Sequence, residues 1–74
     1  MEKEKLRALA ERMASEARAY NSLTREKSNT SFEVGRLEGM MDAAFLLDLH
    51  TSIKFDNSDN YITHVSVEGI TVTL

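Results

Sequence analysis

A chain of 74 residues with a net charge of −3, no cysteine and 42% hydrophobic residues describes one small domain with a thin stability margin. It excludes a disulfide framework and any thiolate metal site. Small secreted domains usually lean on disulfides, and the opening MEKEKLRAL lacks the apolar core of a signal peptide, so a cytoplasmic setting is expected. No apolar run approaches the ~20 residues of a membrane span.

The charge is uneven. Residues 1–27 hold seven Lys/Arg against five Asp/Glu, whereas 28–74 hold two against seven. The first segment suits lying against the acidic remainder, within the chain or across a dimer, or facing an acidic partner. Two differently charged solvated faces are the plainer alternative.

Residues 2–24 predict a first helix. Leu6, Ala10, Met13, Ala17 and Tyr20 form an apolar stripe, widened by Leu9 and Leu23. Glu4, Glu11, Arg18 and Arg25 recur every seven residues on the opposite, water-facing side, acidic early and basic late as the helix dipole favours. The stripe is at the lower limit of a coiled coil, and Glu16 interrupts one seam position; an antiparallel hairpin or small bundle fits as well. TREKSN, residues 24–29, is a polar connector long enough to reverse the chain.

Residues 31–50 predict a second helix, with Thr30 and Glu33 at capping-box spacing. Val34, Leu37, Met40, Met41, Ala44, Phe45 and Leu47 form a broad face suited to a core wall. Ala43, Leu46 and Leu49 lie outside it, with Gly35 and Gly39. This surplus predicts burial on more than one side. The two glycines cost helix propensity, and they mark either tolerated weak spots or a place where another backbone comes close.

From Thr51 the period changes to two. Val65, Val67, Ile70, Val72 and Leu74 alternate with polar residues around a Glu68-Gly69 turn, pairing Val67 with Ile70 and Val65 with Val72. Glutamate is a poor first turn residue. Ile53 and Phe55 predict a further strand, with Phe55 facing Tyr61 and Ile53 facing Thr63 around a loop at 56–60. The alternative extends the second helix to Phe55. The uncharged final strand, if it lies at the sheet edge, needs a covering partner strand.

Signs of chemistry are few. DNSDN places Asp56, Ser58 and Asn60 at calcium-loop positions, but Tyr61 stands where glycine is needed and Glu68 is one place late, so a polar hairpin loop is the better reading. His50 and His64 lack metal-ligand spacing, although Glu38 and Asp42 are an i, i+4 carboxylate pair. No nucleophile elbow or phosphate-binding loop occurs. Nucleic acid would have to bind the first helix, whose basic residues are interspersed with glutamates.

The expectation is therefore an α+β fold, ααβββ or ααββ, in a single domain with strands over 52–74. The expected role is a non-enzymatic, homo-oligomeric interaction protein with no cofactor, metal or membrane. A regulator or inhibitor of another protein is the first alternative, and a nucleic-acid binder the second. Its contact residues would be Gly35, Gly39, Leu46 and Leu49, with Ile70, Val72 and Leu74 at the edge strand.

Overall fold

The alanines of the first helix set the layering. A computed structural model describes residues 2–74, with α1 over Lys3–Arg25, α2 over Ser31–Leu46, and strands β1 Thr51–Phe55, β2 Ile62–Val67 and β3 Ile70–Thr73. The fold is α+β in the order ααβββ, with a third strand rather than a helix extension at 51–55. Ala10, Met13, Ala14 and Ala17 of α1 are completely buried. Three of these side chains are single methyl groups, so the α1 backbone comes close to the sheet, and the flexible Met13 fills what remains. α1 lies against β2 and β3, while α2 lies against α1 and β1. The core gathers Val65, Val67 and Val72 beneath α1, with Leu37 and Ile62 completing it.

The sheet order is β1-β2-β3, all antiparallel, so β1 and β3 are both edges. β2 and β3 pair Val67 with Ile70 and Val65 with Val72, as the alternation predicts. Glu68 and Gly69 have φ of 50° and 82°. Positive φ at both central positions is the turn whose twist matches a hairpin. Glutamate is unfavourable there, but here it holds a second contact: the His50 amide donates to Glu68 Oε2 at 2.8 Å, and the Glu68 amide donates to the His50 carbonyl at 2.8 Å. The turn thereby fastens the entrance of β1.

The β1 register differs from expectation. Ile53 faces Val65, not Thr63, and Phe55 faces Ile62, not Tyr61, with an irregularity between Lys54 and Phe55. Facing Val65 lets Ile53 meet an apolar side chain on the helix side, and the bulge absorbs the mismatch. The loop closes one residue wider, with the Asp56 amide donating to the Tyr61 carbonyl at 2.8 Å.

The second helix departs from expectation at both ends. Thr30 is the N-cap, but its φ of −109° and ψ of 7° lie outside the extended region that aims a capping hydroxyl, and no side-chain cap bond forms. Asn29 Oδ1 instead accepts from the Ser31 amide at 2.8 Å. The helix ends at Leu46 rather than at residue 50. Asp48 takes a φ of 60°, the Asp48 amide donates to the Phe45 carbonyl at 3.0 Å, and the Leu49 amide donates to Ala44 at 2.9 Å. This is a Schellman ending with aspartate in the left-handed position. α1 ends the same way: Lys27 has a φ of 60°, its amide donates to Thr24, and the Ser28 amide donates to Leu23 at 2.8 Å.

Two side-chain links position the helices. The Ile62 amide donates to Asn21 Oδ1, and Asn21 Nδ2 donates to the Ile62 carbonyl, both at 2.8 Å. Asn21 thus completes the backbone of β2 where the bulge disturbs its pairing. Glu16, which breaks the apolar seam, faces α2: its Oε2 lies 3.1 Å from Arg36 Nε. That nitrogen has no hydrogen-bond partner of good geometry, so the contact is Coulombic rather than directional.

Asn21→Ala leaves a half-buried amide and carbonyl unpaired and is expected to cost about 2 kcal/mol in denaturant unfolding. Asn21→Asp does not restore the loss, because a carboxylate cannot donate to the Ile62 carbonyl. Lys27→Gly removes a left-handed side chain at a helix end and is expected to stabilise the chain by about 0.5–1 kcal/mol. A destabilised glycine variant would show that the ending of α1 does not depend on this conformation.

Candidate interaction surface

α2 meets only one strand, β1, and that limits how much of it the chain can cover. Leu37 and Ala44 are its buried residues, and Val34, Met40 and Met41 are half-buried. Phe32, Phe45 and Leu46 are 68%, 77% and 81% exposed, and Leu47 just beyond the helix is 61% exposed. The expected core wall is therefore corrected at Phe45 and Leu47, and the helix is buried on one side only.

Gly35, Gly39 and Leu46 share the outward side, together with Phe32. A Cβ added at either glycine meets nothing within 4 Å. The glycines thus form a smooth, open strip, and no backbone of this chain approaches them. Leu49 stands apart from that strip. It is half-buried past the end of the helix, beside Phe45, Asp48 and His50.

At the other edge, Val72 is buried, and Ile70 and Leu74 pack half-buried against the core. These three side chains face inward, so what β3 offers outside is its backbone. The predicted contact residues consequently fall into two separate regions, the outer side of α2 and the edge of β3.

A third feature escapes the sequence pattern. An open groove of about 200 Å³ separates α2 from the sheet, lined by Tyr20, Val34, Met41, Ile53 and Phe55 among others, with Glu38 as its charged member. Tyr20 and Phe55 meet edge to face, ring centres 6.3 Å apart, at the base of α1 and β1. The groove arises because α1 occupies β2 and β3, leaving α2 to bridge toward β1 alone. Its members come from four elements and share no local period.

The polar constellations are local. Asp56 Oδ1 accepts from the Ser58 hydroxyl at 2.9 Å, the Asn60 amide at 3.1 Å and the Tyr61 amide at 3.3 Å, so this carboxylate braces its own loop. Partial desolvation raises its pKa, but these hydrogen bonds together outweigh it and hold the carboxyl below its ordinary value. The Glu68 carboxyl is also lowered, chiefly by the His50 amide, against partial desolvation and with help from the imidazole, whose Nδ1 lies 3.3 Å away. Among the described residues, no three His, Asp or Glu side chains gather as a metal-binding set. No helix among them is long and apolar enough to cross a membrane.

A carboxyl lowered in the folded state adds stability above its unfolded pKa, and that stability is lost as pH falls through the folded value. The melting temperature is therefore expected to fall on acidification through and below the ordinary carboxylate range of about 3.9–4.3. Glu68→Gln and Asp56→Asn are each expected to flatten that fall. An unchanged acid limb in both variants would show that other carboxylates govern it.

Compared with protein-family models, with curated proteins and with solved structures, the chain matches none.

Proposed function

We propose that this chain is a small non-enzymatic interaction protein that works as a homo-oligomer, with the outer side of α2 as a contact surface. The observation that carries the reading is the exposure of Phe32, Phe45, Leu46 and Leu47 around a strip opened by Gly35 and Gly39. Isolated exposed apolar residues are ordinary, but several large ones grouped at one helix are a feature of contact surfaces. Glycines on that side let a second backbone approach closely. The open groove beside α2 adds apolar surface to the same region. A regulator that presents this surface to a different protein is the second reading, favoured by the same residues.

Gly39→Leu is an informative variant because the leucine side chain enters open space at its Cβ and improves helix propensity by about 0.8 kcal/mol. The monomer is therefore expected to remain folded, while close approach at the strip is blocked. By sedimentation equilibrium the natural chain is expected to exceed its 8.4 kDa monomer mass, and Gly39→Leu and Leu46→Glu to lower that mass by removing the contact made through α2. A natural chain that stays monomeric at high concentration excludes self-association and leaves the heterologous reading. An oligomer indifferent to both substitutions places the contact elsewhere.

A further inference from the structure

β3 ends the sheet with no charge, proline or lysine in Ile70–Thr73, the devices that usually discourage strand pairing. Its two-residue turn makes Val67 and Ile70 a hydrogen-bonded pair, so the amides and carbonyls of Ile70 and Val72 turn toward β2. The Leu74 amide follows, donating to the Thr63 carbonyl at 2.9 Å. Thr71 and Thr73 therefore point their backbone groups outward, and both residues are exposed.

α1 packs over this same side of the sheet, against β2 and β3. It carries Glu4, Glu11, Arg18 and Arg25, all exposed and seven residues apart. In the folded helix they lie about a quarter-turn from the buried Ala10, Met13, Ala14 and Ala17, rather than directly opposite, on the flank away from Glu16 and α2. The stripe is self-complementary in one orientation. Antiparallel to a second copy, Glu4 stands opposite Arg25 and Glu11 opposite Arg18, each twice by symmetry. A parallel arrangement in register sets like charge on like.

The centre of that stripe falls between Ala14 and Ser15, and it is level with the centre of β3. The two Asn21 hydrogen bonds fix α1 against Ile62. Val65 lies three residues further along β2, about 10 Å. That distance is about seven residues back along α1, near Ala14. Val65 in turn pairs with Val72.

We propose that two copies of this chain join across a two-fold axis at β3. Val72 faces Val72 of the second copy, Thr71 faces Thr73 of the second copy, and the sheets merge into one of six strands. The two α1 helices then run antiparallel side by side, with the charge stripe closing on itself above the merged sheet. The inference deepens the homo-oligomer reading and rests on it. It leaves the outer side of α2 at the two far ends of the dimer, free for a further contact.

The cysteine-free chain permits a direct test of register. Thr71 and Thr73 of the second copy form a hydrogen-bonded pair with Cα atoms about 5.5 Å apart, within disulfide range. A mixture of Thr71→Cys and Thr73→Cys chains under copper–phenanthroline is expected to give covalent dimer at least about tenfold faster than either chain alone. Equal cross-linking by one variant alone, or no cross-linking of the mixture while the natural chain is dimeric, overturns the β3 pairing and leaves self-association standing.

Charge supplies a second reading. Glu4→Arg/Glu11→Arg and Arg18→Glu/Arg25→Glu chains are each expected to dimerise about tenfold more weakly, and their equimolar mixture to recover the natural affinity. Unaltered dimers in both variants overturn the α1 pairing. A natural chain monomeric at all concentrations overturns both this inference and the reading beneath it.

Discussion

The structure depends on the close seating of α1 on the sheet. A helix rests directly on strands only if the side chains between them are small, and Ala10, Ala14 and Ala17 provide that, with Met13 filling the remaining space. Val65, Val67 and Val72 supply the facing surface. Once α1 occupies β2 and β3, a three-stranded sheet has only β1 left to offer α2. The half-packed second helix, the groove beside it and the exposed phenylalanines all follow from that shortage of sheet. Among the described residues no further element covers them.

The same seating explains the connecting devices. Asn21 holds the C-terminal part of α1 to Ile62 where the bulge has disturbed strand pairing. Glu16 and Arg36 join the two helices by charge across a partly exposed gap. Glu68 and His50 tie the hairpin turn to the start of β1. Each link lies at the margin of the apolar core, where packing alone is weakest and one directional or charged contact fixes position.

Much of the fold is legible in the sequence because burial is one-sided. The alternation at Val65, Val67, Ile70 and Val72 sets register by itself, since a slip of one residue would turn every valine to water. The apolar stripe of α1 is equally plain. The priority of the two helices is not: α2 has the bulkier apolar residues, yet α1 is the buried one, because small side chains permit approach and large ones do not. The end of α2 is hidden because its left-handed residue is Asp48, not glycine. Asn21 and Ile62 are far apart in sequence, and no local pattern announces a side chain that completes a distant strand. On the candidate surface, Gly35, Gly39 and Leu46 are legible as one helical side, whereas the groove needs elements that only the fold brings together.

Hydrogen exchange tests the central asymmetry most directly. If α1 is the seated helix and α2 the half-covered one, amides in the middle of α1 should exchange only through global unfolding at low protein concentration. Those of α2 should exchange faster through local opening, and should gain protection as concentration rises and the outer surface is covered. Equal, concentration-independent protection of both helices would contradict this account, because it would mean that α2 is as firmly held by its own chain as α1.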